Sequence, residues 1–135
     1  DYETSGANVF EDRPLQFAGV RTDKNFNVIS EPLVHYCRPS PDCLLHPAAI
    51  RVTGISPYKA LAEGAHEGAF MAKIQREFMV PGTCALGYNS VRFDDEITRF
   101  ALYRNFFPPY AREFGPPERT ACLVFAWKIS LPQMA

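Results

Sequence analysis

The order of strand-like and helix-like segments in this sequence predicts an α/β fold with a mixed sheet. Three observations support that class. Apolar and polar residues alternate over 15–23, a second strand-like run covers 26–37, and apolar residues recur at helical spacing over 67–78. The full predicted order is strand, strand, helix, helix, strand, helix. This alternation is typical of a sheet covered by helices.

The first two strands are expected to pair as an antiparallel hairpin. The run 15–23 follows Arg13-Pro14, and the turn-prone pair Lys24-Asn25 separates it from the run 26–37. Pro32 lies inside the second run and has no N–H to donate to a neighbouring strand. The second strand is therefore expected at a sheet edge or with a bulge at Pro32.

A proline-rich loop over 39–47 and a short apolar stretch over 50–55 precede the first predicted helix. Ser56-Pro57 is a helix-start signal, with serine as the cap and proline at the first helical position. This helix is expected to run to about Glu63 and to end at Gly64.

The second predicted helix spans Glu67 to Phe78, and Pro81-Gly82 follows it as a breaker. A brief buried-strand pattern comes next over 84–88, and a third helix is expected to begin at Asp94 or Asp95. By composition, the stretch 122–129 is suited to a further strand.

Composition indicates a soluble globular chain of one-domain size. The 135 residues are 47% hydrophobic with a net charge of −1, and the mean hydropathy is −0.17. No apolar run reaches the roughly 18–20 residues that span a membrane, so we expect a cytoplasmic protein without membrane attachment. The charge argues against a purely electrostatic DNA binder. The four cysteines form no C-x-x-C pair and lack histidines at zinc-finger spacing, which favours reduced thiols.

Two acidic clusters are candidates for chemistry. Asp1 and Glu3 are two residues apart, so on a strand their carboxylates point to the same face. The cluster Asp94-Asp95-Glu96 lies at a predicted helix start just after a strand, where ligand sites form in α/β sheets. Carboxylates from two such places suit a pair of Mg²⁺ ions. Spacing alone is more typical of solvated surface charge or of acids that complement the helix dipole.

The residues around these acids carry a family resemblance. Asp1-Tyr2-Glu3-Thr4 matches the D-x-E-T opening of the DEDD exonuclease superfamily, and the stretch 87–94 resembles its second motif, Asn-x-x-x-Phe-Asp. Within the superfamily, the chain resembles the bacterial exonuclease I (exodeoxyribonuclease I) family from residue 1 to about Phe114. Further matching stretches are 12–14, 16–18, 21–23, 26–29, 53–55, 89–96 and 103–106.

The resemblance implies a ribonuclease H-like exonuclease fold with a mixed central sheet, present here incompletely. Residues 1–114 are expected to form a partial exonuclease domain, with the first strand and the C-terminal part of the domain missing. Residues 115–135 do not resemble the family's continuation, and a truncated or frame-shifted reading is our hypothesis for this tail.

The resemblance also implies roles for individual residues. Asp1, Glu3 and Asp94 correspond to catalytic carboxylates that bind two Mg²⁺ ions, with Mn²⁺ as a substitute. Glu3, Thr4, Arg99 and Tyr110 are the expected contacts to the substrate, the last two through a phosphate and a base. The family's fourth carboxylate and its general-base histidine, in a His-x-x-x-x-Asp motif, are absent from this chain.

The implied function is Mg²⁺-dependent 3′→5′ hydrolysis of single-stranded DNA to nucleoside monophosphates, in DNA repair and recombination. Family analogy adds single-strand-binding protein as a partner. With three of four carboxylates and no general base, the chain by itself is expected to be inactive. Two alternatives stay open. One is another DEDD exonuclease of the proofreading or oligoribonuclease type, and the other is a non-catalytic single-strand-binding remnant.

Overall fold

A computed structural model describes residues 1–114 and 124–126, and the alternation of strands and helices in them confirms the α/β class. The strands are β1 (Tyr2–Thr4), β2 (Pro14–Gly19), β3 (Leu33–Tyr36), β4 (Leu86–Tyr88) and β5 (Val124–Ala126). The helices are α1 (Pro47–Thr53), α2 (Pro57–Glu63), α3 (Glu67–Phe78) and α4 (Asp94–Arg104). In the part of the chain that the structure describes, no helix has the length and apolar character needed to cross a membrane.

The described strands form two sheets. β1, β2 and β3 make an antiparallel sheet in that order, so the predicted hairpin is confirmed as β2 and β3. β4 and β5 pair in parallel, and β5 falls within the predicted strand over 122–129, whose other residues lie outside the described ranges. Parallel and antiparallel pairing thus both occur among the described strands, in two sheets, which is consistent with an incomplete ribonuclease H-like fold.

The pairing of β1 with β2 is irregular. Glu3 lies opposite Gln16, but Thr4 lies opposite Pro14, so Leu15 is an extra residue in β2. This is the arrangement of a β-bulge, which bends a strand and lets successive residues point the same way. Pro14 and Leu15 are accordingly both fully buried.

The predicted second strand over 26–37 was too long at its start. Phe26 has a positive φ of 64°, and Asp23 accepts hydrogen bonds from the backbone of Asn25 and Asn27, so this segment forms a tight turn. Between this turn and β3, the described residues pair only through the isolated antiparallel bridge of Thr22 with Val28. β3 begins directly after Pro32, so the proline without an N–H stays outside the ladder, and β3 is an edge strand of the described sheet.

Helix α1 was not predicted, because its apolar residues suggested a short buried stretch instead. His46 caps it by accepting a hydrogen bond from Ala48 N, and Pro47 occupies its first turn. Gly54 ends it in the left-handed conformation at φ 70°. The structure therefore places residues 50–53 of the apolar stretch in a helix without fully buried residues, while Ile55 after it is buried in the core.

The other helices are confirmed. Ser56 caps α2 through Lys59 N, and α2 ends at Gly64 as predicted. A Cβ at Gly64 would lie 2.3 Å from the Ala60 carbonyl oxygen, so only glycine fits this turn. α3 has the predicted bounds, and α4 begins at Asp94.

The main core lies between the antiparallel sheet and helices α3 and α4. Tyr2 packs edge-on against Phe17 and Phe70, with ring centroids 5.1 Å and 6.5 Å apart. The other buried members are Cys37, Met71, Ile74, Ile97, Ala101 and Leu102. A second cluster joins Leu15 to Ile55 and Ala60 under α2. The aromatic ring in the middle of β1 thus anchors that strand in the core.

Cys37 is expected to resist alkylation in the native protein. Its side chain is buried in the core, and burial raises the pKa of the thiol to about 12, so at pH 8 almost no reactive thiolate is present. Mass spectrometry after iodoacetamide treatment should find Cys37 unmodified in buffer and modified in urea. Labelling of Cys37 in buffer at the rate of the exposed Cys84 would contradict this packing.

Candidate active site

Asp1 and Glu3 lie on the face of β1 opposite the core. The side chains of Tyr2 and Thr4 are buried, and alternation along a strand turns Asp1 and Glu3 to the other side. Asp1 extends the strand ladder, since its backbone exchanges hydrogen bonds of 2.9 Å and 3.0 Å with Ala18. The predicted shared face of the two carboxylates follows from this register.

Asp94 contacts β1 at the strand edge that is not paired with β2. Because Asp1 and Ala18 exchange both backbone bonds, the next N–H along the strand, that of Tyr2, points away from β2. Asp94 Oδ1 accepts this N–H at 3.0 Å. The first residue of α4 therefore lies beside the strand that carries Asp1 and Glu3, although the motifs are 92 residues apart in the sequence.

A second contact ties the same two elements together inside the core. The hydroxyl groups of Tyr2 and Thr98 are hydrogen bonded at 3.1 Å, and Thr98 Oγ1 also lies 2.6 Å from the Asp94 carbonyl oxygen, to which it donates. Burial raises the pKa of the Tyr2 phenol far above its ordinary value, so the phenol stays neutral. Side chain and backbone of Asp94 are thus both fixed to β1.

The environment raises the pKa of two of the predicted carboxylates. Desolvation by burial is the main cause for both Asp94 and Glu3. The positive α-amino group of Asp1 acts in the opposite direction on each of them, as does the Tyr2 N–H on Asp94. A cation placed beside these groups would therefore relieve an unfavourable charge state.

No lysine or arginine in residues 1–114 forms an ion pair with Asp1, Glu3 or Asp94 through its side chain, whereas neighbouring acids are paired. Glu96 binds Arg99, Asp95 binds Arg112, and the more distant Glu67 binds both Arg13 and Arg104. Carboxylates that are not paired with a lysine or arginine side chain are a donor set suited to a hard divalent ion such as Mg²⁺ or Mn²⁺. The residues therefore fit a metal of this class.

The side chains of the predicted ligands do not form a complete metal-binding site in this structure. Across the described ranges, no group of three His, Cys, Asp or Glu side chains is close enough to hold a metal ion. The Asp1 side chain is exposed, while Asp94 is held by its hydrogen bond to Tyr2. The structure brings the three residues to one place without preassembling their carboxylate oxygens.

The predicted substrate contacts differ in their surroundings. Thr4 is buried, and its hydroxyl donates to the Gly6 carbonyl oxygen at 2.5 Å. Arg99 forms a two-pronged pair with Glu113 at 2.8 Å for each bond, and also binds Glu96. Tyr110 is half exposed beside the Arg99 guanidinium, 5.6 Å from it. The roles of these three residues stay predictions, and Arg99 would have to share its guanidinium with a phosphate.

The histidines have structural roles. His46 and His66 accept hydrogen bonds from backbone N–H groups at the starts of α1 and α3. His35 lies in β3 opposite Phe17.

Two ion-pair groups were missed from the sequence. Asp95, which the sequence placed only in the acidic cluster at the start of α4, is buried and bound to Arg112. Glu67 joins Arg13 to Arg104 and so connects the start of β2 with the last turn of α4. Their partners are 17 or more residues apart, and no spacing rule for a strand or helix relates residues at such distances.

Comparison with known proteins identifies close relatives. A family model described as Exonuclease matches residues 1–126. Exodeoxyribonuclease I of Escherichia coli (strain K12) is 58% identical over 111 residues, which are 82% of this chain and 23% of that protein. The structure of E. coli exonuclease I in complex with a dT13 oligonucleotide superposes with a TM-score of 0.84 at 52% identity, covering 90% of this chain and 26% of that one.

A further solved structure, the ExoI/SSB-Ct complex, gives a TM-score of 0.85 at 52% identity, with the same coverage of 90% and 26%. The chain thus spans about a quarter of the length of the relatives that it matches.

Proposed function

Because this chain belongs to the exonuclease family, we propose that it supplies three catalytic carboxylates of a Mg²⁺-dependent 3′→5′ exonuclease acting on single-stranded DNA. The observation that carries the proposal is the hydrogen bond from Tyr2 N to Asp94, which joins the two acidic motifs. It puts the third carboxylate beside the strand of Asp1 and Glu3, where an oxygen-only metal site would need it.

The comparisons support the substrate class. E. coli exodeoxyribonuclease I shares 58% of the matched residues, and the similar E. coli exonuclease I has been solved with a bound dT13 oligonucleotide. This degree of similarity favours the exonuclease I branch over a proofreading or oligoribonuclease type. By the same reasoning we assign the chain a place in DNA repair and recombination.

Each residue has a defined part in the proposed mechanism. Asp1, Glu3 and Asp94 would hold the metal through carboxylate oxygens, and a pair of Mg²⁺ ions bound there would supply activation of water and stabilisation of the leaving oxygen of the phosphodiester. Asp94 is fixed by Tyr2 and so defines the position of the site, while the exposed Asp1 adjusts to the ions. Thr4 and Glu3 border the 3′ nucleotide, Arg99 contacts a phosphate, and Tyr110 stacks on a base.

A chimera tests the proposal. The 111 matching residues of this chain would replace their counterparts in E. coli exodeoxyribonuclease I, which supplies the rest of the protein. With a 5′-labelled single-stranded DNA, we expect a ladder of products shortened from the 3′ end, dependent on Mg²⁺ and abolished by EDTA. Binding of the oligonucleotide without any hydrolysis would instead identify a single-strand-binding module.

Substrate arms of the same assay separate the remaining alternatives. A preference for a mismatched 3′ end on a duplex would indicate a proofreading type, and a preference for short RNA an oligoribonuclease type. We also propose single-strand-binding protein as a partner, because the ExoI/SSB-Ct complex is among the similar structures. Addition of its C-terminal peptide to this chain itself should therefore give a measurable binding isotherm, and no binding would assign the peptide site to the rest of the protein.

A further inference from the structure

Asp95 and Arg112 form a buried ion pair at the start of α4. Arg112 Nη2 donates to Asp95 Oδ1, and the two residues are only 2% and 6% exposed. The Arg112 guanidinium also lies over the ring of Phe78, 4.8 Å from its centroid. The pair therefore connects the first turn of α4 to the last residue of α3, through a residue that follows α4 in the sequence.

A buried ion pair of this kind adds little net stability to a fold, because desolvation of the two charges opposes their attraction. Two charges have been removed from water, and Asp95 Oδ2 is buried without a hydrogen-bond partner in the described part of the chain. Well-packed apolar side chains of similar volume often stabilise a protein as much or more. An ion pair instead contributes conformational specificity, because it fixes the relative rotation and position of the elements that it joins.

The element fixed here carries Asp94. Neighbouring residues on a helix rotate together about its axis, so an interaction that holds Asp95 also sets the direction of Asp94. The backbone supports the same position, since Asp95 N donates to the Ser90 carbonyl oxygen at 2.8 Å. On the other side, Asp94 Oδ1 accepts the Tyr2 N–H. The first turn of α4 is thus held from both sides.

We propose that Arg112 is a positioning residue for the metal site: through Asp95 it holds the first turn of α4 so that the Asp94 carboxylate faces β1. This inference rests on the proposed function, in which Asp94 binds the catalytic metal. Arg112 contacts neither metal nor substrate, and it acts only through the orientation of α4.

Direct metal binding by the full chain tests the inference independently of activity. Mn²⁺ would be titrated into the protein, and free Mn²⁺ followed by electron paramagnetic resonance. We expect Arg112→Gln to raise the Mn²⁺ dissociation constant by roughly 10–100-fold, the usual effect of losing a group that orients a ligand. Arg112→Lys should recover part of this loss, because the charge is kept without the planar two-pronged donor.

A double variant separates positioning from folding. Asp95→Leu combined with Arg112→Met removes both buried charges and keeps apolar volume, so the melting temperature should stay level or rise. We still expect weaker Mn²⁺ binding, of the size seen for Arg112→Gln. This variant also answers the question if Arg112→Gln fails to fold, because it leaves no unpaired buried charge.

Arg21→Gln is the matched control, since Arg21 binds Glu77 and Thr83 and none of these lies in α4. Its Mn²⁺ affinity should stay within about twofold of the unmodified chain, a change of less than about 0.5 kcal/mol. Unchanged Mn²⁺ affinity in the stable double variant would overturn the positioning role while the proposed function stands. If the unmodified chain binds no Mn²⁺, or if Asp94→Asn leaves binding unchanged, the proposed metal site fails and the inference falls with it.

Discussion

Replacing Asp94 with asparagine is expected to lower the nuclease rate of the chimera on the order of 10³-fold or more, about 4 kcal/mol of transition-state stabilisation. The substitution removes the negative charge that a divalent ion needs. It also keeps an oxygen at the position that accepts the Tyr2 N–H, so the contact between α4 and β1 is preserved. The loss of rate should therefore occur without a loss of structure, as measured by circular dichroism.

Glu96→Gln provides the control for this variant. Glu96 lies in the same first turn of α4 and makes the same contribution to the helix dipole, but its carboxylate binds Arg99. Arg99 keeps its two bonds to Glu113 when Glu96 is changed. We expect a rate within a few-fold of the unmodified chimera. Equal losses for both variants would indicate that general negative charge, and not a metal ligand, is what matters at this helix end.

Replacing Phe70 with alanine is expected to lower the free energy of unfolding of the chain by roughly 3–5 kcal/mol. Phe70 is fully buried in α3 and contacts the ring of Tyr2, so its removal opens a cavity beneath β1. Typical domains are stable by only about 5–15 kcal/mol, and the loss would therefore be a large part of the total. Urea denaturation, monitored by far-ultraviolet circular dichroism, would measure this loss of unfolding free energy.

Phe26→Ala removes the same number of atoms from a residue that is 72% exposed, in the turn before β3. Its cost should be within about 0.5 kcal/mol, as for other exposed positions. If the two alanine variants were equally stable, Phe70 would not be a core residue. A chain without a cooperative urea transition would likewise contradict the packed core between sheet and helices.

The local part of the fold could be predicted because local chemistry determines it. The stripe of Phe70, Met71 and Ile74 is enough to define α3, and the Ser56-Pro57 cap is enough to define the start of α2. Helix α1 was missed because its cap is a histidine, which carries no strong start signal, and because its apolar residues face solvent rather than the core.

The residues of the candidate site follow from the family resemblance and stay predictions, and their contacts could not be predicted from the sequence. The family resemblance identified Asp1, Glu3 and Asp94, whereas the bond from Tyr2 N to Asp94 depends on which edge of β1 faces α4. Strand order and helix rotation are properties of the whole fold. For the same reason the pair of Asp95 and Arg112 was invisible in the sequence, since loop geometry alone brings its partners together.

The extra residue in β2 also limits how this region can change in length during evolution. Because side chains alternate along a strand, an insertion or deletion of one residue within 1–4 would turn Asp1 and Glu3 towards the core and Tyr2 towards solvent. The bulge at Leu15 already absorbs one such offset, and it does so on β2, where no candidate ligand lies. Length variation among descendants of this sequence is therefore expected in the turn between β1 and β2 rather than in either strand, because Leu15 and Phe17 of β2 are also core residues, while the spacing of the two acids stays constant.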